Sequence, residues 1–353
     1  MNNLPDSLTG VTALPPQIDI PRVAEAVLQQ FELSGEYRLL VSERDQNFRL
    51  TSEDGRRFVV KISGLAEPLA EVDLQLEALL HLQRKALDFT PRIVRTSAGL
   101  SSGKIAAGNG KSFPLRVVTW LDGRLLADSV LNADVAGKLG RRLAMLDIAL
   151  ADFAHPASER VMLWDTQKAA ILLSLTDSIS DADTRSTVED VLQHFSTQVE
   201  PLLASLPRQI IHNDANPENI LLNEQACVTG IIDFGDMLQA PRIIELATAA
   251  SYLRSASNDP LLFIAPLVAA YRSRLPLLQE EEALLYHLVR TRLAMTLTIL
   301  YWRLAARDED DPYRQKTLKS ESNAFDFLRN LSVLGESGFR ARTSEENTIN
   351  TIS

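Results

Sequence analysis

Apolar and polar residues change period partway along this chain. Early on, Tyr37–Ser42, Asn47–Ser52 and Arg57–Ser63 read as strands, with Asp54-Gly55 a hairpin signal between the second and third. Ahead of them Asp19 is placed to cap a helix with Pro21 in its first turn and Val23, Ala26, Val27 and Phe31 on one face. Residues 1–18 are polar and proline-bearing and read as an extension. After the third strand, Leu69, Val72, Leu76, Leu79, Leu80 and Leu82 predict a helix over about 68–86. Gly108-Asn109-Gly110-Lys111-Ser112 then turns into a further strand, Phe113–Leu121. It is no phosphate loop, because Ile105 stands where the first glycine is required.

From Leu121 onward the apolar spacing is helical. Val135, Leu139, Leu143 and Leu146 mark one segment, and Val188, Val191, Leu192, Phe195 and Val199 another. A third opens at Pro241 and carries Ile244, Leu246, Ala247 and Ala250. Leu261–Tyr271, Glu280–Leu304 and Pro312–Leu331 follow. The pattern predicts an α+β chain with two lobes. Residues 1–121 form an antiparallel-sheet lobe with a helix, 122–334 a mainly helical lobe, and the polar stretch 335–353 is expected to be disordered.

One stretch obeys neither period. The apolar runs Ile210-Ile211 and Ile220-Leu221-Leu222 flank the polar turn His212-Asn213-Asp214-Ala215-Asn216-Pro217-Glu218-Asn219. A third run, Gly230-Ile231-Ile232, ends in Asp233-Phe234-Gly235-Asp236. Phosphoryl transfer requires a carboxylate at the attacking hydroxyl, together with an amide oxygen and a second carboxylate on the magnesium that bridges the phosphates. Asp214, Asn219 and Asp233 supply that trio at the spacing of the kinase template, and His212 reads as a structural residue that hydrogen-bonds backbone around the loop.

Lys61, in Val59-Val60-Lys61-Ile62, sits where such folds place the lysine that meets the phosphates. Glu71 and Glu77 on the following helix are candidates to hold it, and Glu77 is favoured. No glycine-rich loop precedes this lysine, so backbone amides, Ser42 and Asn47 are the expected phosphate contacts. Val118-Thr119-Trp120-Leu121-Asp122-Gly123 reads as the connection between lobes, with backbone groups of Thr119, Trp120 and Leu121 available to an adenine edge. Asp236 offers one more carboxylate, either for a substrate ammonium group or as a cap for the following segment.

Composition narrows the alternatives. The net charge of −10 excludes general binding of nucleic acid and is compatible with a cationic substrate. The single cysteine, Cys227, excludes an internal disulfide and is expected as an inert buried thiol. The five histidines stand singly, without metal-ligand spacing. No apolar run suffices to span a bilayer and no secretory leader is visible, so no membrane association and a cytoplasmic location are expected. The sequence does not specify an oligomeric state.

The segments His212–Leu221 and Ile232–Asp236 resemble the aminoglycoside phosphotransferase family of small-molecule kinases, which share a protein-kinase-like fold. In wording they are most similar to its hydroxylysine-kinase-like members, which carry Asp-Ala-Asn in the loop and Phe-Gly-Asp after the metal aspartate. The resemblance implies transfer from ATP, with Mg2+, to a hydroxyl of a small amine-bearing molecule. It assigns Asp214 as base, Asn219 and Asp233 as metal ligands, and Lys61 with Glu77 as the phosphate pair. The chain departs from the family at Asn213, often glycine, at Asn216, often histidine, and at Glu245, usually aspartate, whose bracing role is left open. Other kinases of aminoglycosides, sugar-like acceptors or homoserine form an alternative class. A protein kinase is disfavoured because Asn213 replaces the arginine before the base and Ala240-Pro241-Arg242 replaces Ala-Pro-Glu. A nucleotide-binding pseudokinase or partner-binding protein has no chemical need for Asp214 beside Lys61, Asn219 and Asp233.

Overall fold

The computed structural model describes residues 15–42, 44–107, 110–255, 257, 259–305 and 323–344. The first lobe is a five-stranded antiparallel sheet in the order β1-β2-β3-β5-β4. Its strands are β1 (Gly35–Leu40), β2 (Gln46–Ser52), β3 (Arg57–Ile62), β4 (Gly103–Ala106) and β5 (Ser112–Thr119). Helix α1 (Ile20–Phe31) packs on it, with the Asp19 carboxylate accepting from the Arg22 N–H at 2.9 Å as the sequence predicts. The part of the expected extension that is described docks on the sheet: Ile18 is buried and exchanges two hydrogen bonds of 2.9 Å with the Gln46 side chain.

Register brings the chemistry together. Lys61 lies opposite Asn47 on β2 and opposite Arg116 on β5, so all three point to the same face of the sheet. Helix α2 (Leu69–Arg84) follows, but its apolar face joins the core of the second lobe rather than that of the sheet.

The second lobe opens with β6 (Arg124–Leu125) and α3 (Ala133–Leu150), continues through a 3-10 segment Thr166–Ser178, and then α4 (Ala182–His194). Strands β7 (Arg208–Ile211), β8 (Ile220–Leu222), β9 (Val228–Ile231) and β10 (Leu238–Pro241) build two small antiparallel sheets, β10-β7 and β6-β8-β9. Helices α5 (Ile243–Tyr252), α6 (Ile264–Arg272), α7 (Gln279–Ala305) and α8 (Ala324–Thr343) complete it. From Leu284 to Leu300 most side chains of α7 are buried on every side, and it serves as the axis of the lobe. Among the described residues no helix is long and apolar enough to cross a membrane.

Two expectations change, and one contact appears that sequence separation concealed. Residues 335–343, expected to be disordered, are helical: α8 bends at Gly335, where φ is 72°, and continues with Phe339 buried against the Tyr286 ring at 5.6 Å. The bend breaks the apolar period, which is why the spacing hid it; residues 345–353 lie outside the described residues, as does 312–322 of the last expected helix. His194 and His287, distant in sequence, meet at 3.2 Å, and His287 reaches Glu336 at 3.2 Å. Cys227 is half-buried rather than buried.

Helices α3 and α6 approach closely because glycines line the contact. A Cβ at Gly140 would collide with the Leu267 carbonyl, while one at Gly137 would meet Pro266 O at an ordinary 3.7 Å. Gly140→Ala is therefore expected to lower stability by about 1–3 kcal/mol, the range for overpacking. Gly137→Ala is expected to be neutral or to raise stability by up to about 1 kcal/mol through helix propensity. Urea denaturation followed by circular dichroism checks both signs.

Candidate active site

Strand β7 delivers the chain to a loop whose backbone is held from behind. His212 is fully buried; its Nδ1 accepts the Asp214 N–H at 3.3 Å, so its Nε2 is the donor to Ile232 O at 3.0 Å. Its ring meets Phe234 edge-on at 4.7 Å. Asn213 adopts φ 64°, left-handed backbone that few side chains tolerate. Its N–H donates to Glu245 Oε2 at 2.8 Å, its amide to Asp236 O at 3.2 Å, and its carbonyl receives Arg292 Nη2 at 3.3 Å. The longer Glu245 therefore does reach the loop.

Asp214 follows with both carboxylate oxygens engaged. Asn216 Nδ2 donates to Oδ1 at 2.8 Å, and Asn219 Nδ2 to Oδ2 at 2.7 Å and to the Asp214 carbonyl at 3.0 Å. Burial, and after it the charge of Asp236, pushes the Asp214 carboxyl well above the usual carboxylate range, with Arg292 opposing. A raised proton affinity on a fixed, half-buried carboxylate suits a group that takes a proton from a hydroxyl.

Strand β8 places Asn219 beside the end of β9: Ile232 N donates to Asn219 O at 3.0 Å, which makes Asp233 its neighbour. Asp233 also has a positive φ, 61°, and its carboxylate is open to the cleft 3.5 Å from Lys61 Nζ. The Lys61 ammonium holds the Asp233 carboxyl below the usual carboxylate range. Asn219 commits its amide nitrogen to Asp214, which leaves Oδ1 as an acceptor. That oxygen and the ionised Asp233 are hard donors, the type magnesium prefers when phosphates and waters complete its shell.

The sheet lobe meets this set differently from expectation. Lys61 pairs with Asp45 (3.6 Å) and Asp233, and Glu77 makes no ion pair with it. Glu71 is not its partner either: it binds Arg160 at 2.7 Å, and Arg160 Nη1 also donates to Gly235 O at 2.9 Å. The helix explains this. Gln75 is the α2 side chain that faces the sheet, donating to Glu67 and accepting from Arg116 Nη1 at 2.6 Å. Glu77, two residues on, is rotated by roughly 200° from it. Arg116 is buried, and its other nitrogen reaches Ser63 at 2.6 Å and Asp45 at 3.2 Å. Burial pushes the Asp45 carboxyl up, against the pull of Lys61 and Arg116.

Ser42 lies half-buried in the β1–β2 loop, and Asn47 keeps a buried Oδ1 with no hydrogen-bond partner among the described residues. Of the three backbone groups expected at an adenine edge, two N–H donors are committed internally: Thr119 N to Arg92 O (2.9 Å) and Trp120 N to Arg57 O (3.0 Å). Among the described residues the Leu121 N–H has no such acceptor. Asp236 is buried and bound by Arg44 Nη2 at 2.7 Å, so its carboxylate is not a helix cap. Arg44, Asp45, Arg116, Arg160 and Arg292 carry no motif; what unites them is contact across long separations, 192 residues for Arg44 and Asp236.

Residues 36–285 match the family described as Phosphotransferase enzyme family. Among characterised proteins the chain is 28% identical over 304 residues to hydroxylysine kinase of Mus musculus, covering 80% of this chain and 81% of that protein. It is 27% identical over 337 residues to hydroxylysine kinase of Danio rerio, covering 92% and 93%. Its fold is similar to that of a microcompartment-associated aminopropanol kinase, with a TM-score of 0.67 at 19% identity over 92% of this chain and 99% of that one. It is also similar to amicoumacin kinase in complex with AMP-PNP and Ca2+, with a TM-score of 0.66 at 14% identity over 88% and 94%. At these identities the solved structures speak for the two-lobed kinase-like fold.

Glu245 is fully buried and accepts the N–H of a residue in left-handed backbone. Glu245→Ala is expected to cost about 1–3 kcal/mol, the penalty for orphaning a buried donor. Glu245→Gln, which keeps an oxygen acceptor, should cost less and retain more turnover. Chemical denaturation alongside a turnover assay checks the ranking; equal losses would remove Glu245 from loop support.

Proposed function

Because the chain belongs to the phosphotransferase enzyme family, we propose that it transfers the γ-phosphoryl group of ATP, with magnesium, to a hydroxyl of a small amine-bearing molecule of the hydroxylysine type. The observation that carries this reading is the constellation at the cleft: Asp214 fixed by Asn216 and Asn219, beside Asp233 held ionised by Lys61.

The nucleotide lies between the sheet lobe and the helical lobe, with the Leu121 N–H toward the adenine edge. Lys61 meets the phosphates, and Asn47 and Ser42 line their approach. Asn219 Oδ1 and Asp233 would hold the magnesium, which would supply neutralisation of phosphate charge. The acceptor hydroxyl attacks the γ-phosphorus in line as the bond to the β,γ-bridging oxygen breaks. Asp214 receives the hydroxyl proton, and the electron pair leaves on ADP. Because Asn216 and Asn219 fix both oxygens of Asp214, little reorientation is needed when the acceptor arrives.

Three observations favour an amine-bearing acceptor. Asp236 is a second buried carboxylate close enough to raise the proton affinity of Asp214. The chain carries a net charge of −10. The hydroxylysine kinases align along four-fifths or more of its length. The proposed location of this ATP-dependent enzyme is the cytoplasm.

Asp214→Asn is expected to fold normally and to lose at least about 10²-fold in turnover, the lower end of a positioned base's contribution. Near wild-type turnover would remove Asp214 from the mechanism. Asn219→Ala and Asp233→Ala should each weaken magnesium-dependent nucleotide binding, Asp233→Ala more, since a carboxylate opposes the ion's charge and an amide contributes a dipole. Magnesium titration of nucleotide affinity measures both, and wild-type binding in both variants would refute the ligand assignment. The acceptor class is read from ADP formation with hydroxylysine, ethanolamine, homoserine, choline, methylthioribose and kanamycin. A clear preference for kanamycin or methylthioribose over every small amine would overturn it.

A further inference from the structure

Asp236 is the carboxylate that the proposed function reserves for the acceptor's ammonium group, yet it is bound here by a cation from the opposite lobe. Arg44 Nη2 lies 2.7 Å from Asp236 Oδ1. The two ends of this bridge differ in exposure. The Asp236 side chain is 8% exposed and fixed in the floor of the cleft, whereas that of Arg44 is 43% exposed at the tip of the β1–β2 loop. The next residue, Asp45, is anchored to Lys61 and Arg116 at 3.6 and 3.2 Å. The backbone of Arg44 is thereby held beside the phosphate lysine whichever way its own side chain turns.

Three groups then compete for two contacts. The contact with Asp236 uses Nη2, and a triphosphate, which offers several anionic oxygens against the one contacted here, competes for the same guanidinium through charge-assisted bonds. A buried carboxylate filled by a guanidinium cannot take an ammonium as well. Resting on the kinase reading above, we propose that Arg44 passes between Asp236 and the nucleotide phosphates, so that nucleotide binding uncovers Asp236 for the acceptor's ammonium group. Nucleotide and acceptor then bind with positive coupling, and the coupling runs through one side chain. Arg44 is a positioning residue in this scheme and takes no part in bond making.

The nucleotide arm of the test needs no acceptor. Affinity for MgAMP-PNP is measured by calorimetry for wild type, Arg44→Met, Asp236→Asn and the double variant. Arg44→Met weakens binding roughly 5-fold or more, the low end of a site-to-site coupling. Asp236→Asn, which releases the guanidinium, tightens it by about 3-fold or more, and that gain disappears in the double variant because the two residues act as one unit. A bridge that served only to hold the lobes together would weaken binding in both single variants, and that result overturns the exchange. So does Asp236→Asn with unchanged affinity.

The acceptor arm uses hydroxylysine. In wild type it binds roughly 5-fold or more tightly with MgAMP-PNP than without, by the reciprocity of linked sites, and in Arg44→Met the difference collapses. Coupling that persists in Arg44→Met overturns the proposal. Opposite signs in the nucleotide arm with no hydroxylysine binding support the exchange and reject the acceptor assignment. Wild-type protein that binds no MgAMP-PNP removes the exchange and the kinase reading together.

Discussion

The geometry of the cleft depends on the backbone of Asn213. Its left-handed conformation turns the chain so that Asp214 leaves the end of β7 toward the cleft while His212 stays in the core. Such a conformation persists only when its surroundings over-determine it. Here the N–H is held by Glu245 on α5, the carbonyl by Arg292 on α7, and the side-chain amide by the carbonyls of Asp236 and Trp164. Four separate stretches of chain thus meet on one residue, and the apolar mass of the helical lobe is what keeps them there. Asp214 inherits its position from that convergence, and Asn216 and Asn219 then set its orientation.

Around this point the charges alternate. Asp45, Asp214, Asp233 and Asp236 face one cleft, interleaved with Lys61, Arg44 and Arg116 and backed by Arg292. Carboxylates at this density repel one another, and Asp214 shows the result in its raised proton affinity. Asp233 escapes that fate because Lys61 is nearest to it. Two aspartates nineteen residues apart therefore differ in protonation tendency for a reason visible in their neighbours, and the difference suits the separate roles proposed for them.

The sequence disclosed what is local and withheld what is assembled. Strands β1 to β3, the Asp19 cap and the long apolar helix α7 followed from spacing, because each is determined by residues within a few positions of one another. That Asp214, Asn219 and Asp233 converge on one place was legible for the same reason: short apolar strands, β7, β8 and β9, adjoin them. The partner of Lys61 was not. Choosing Glu77 assumed that the helix after β3 presents a carboxylate to the sheet, whereas Gln75 occupies that face and Asp45 supplies the charge from the β1–β2 loop. Arg292 reads as one more polar residue in a mixed helix until the loop it supports is placed beside it. The helix beyond Gly335 was missed because a bend resets the apolar phase.

Trp164 joins the catalytic loop to the axis of the helical lobe: its carbonyl accepts Arg292 Nη1 at 2.7 Å, and its ring faces the same guanidinium at 4.9 Å. Trp120, one of the two others in the chain, sits at the junction of the lobes with Arg49 over its ring at 5.9 Å. Indole emission is sensitive to a positive charge near the ring. Two of the three tryptophans thus stand next to cations, one at the edge of the sheet lobe and one behind the loop in the helical lobe. The protein carries its own optical reporters of these two surroundings, without dye or label, and a shift in emission maximum on ligand addition has a structural address.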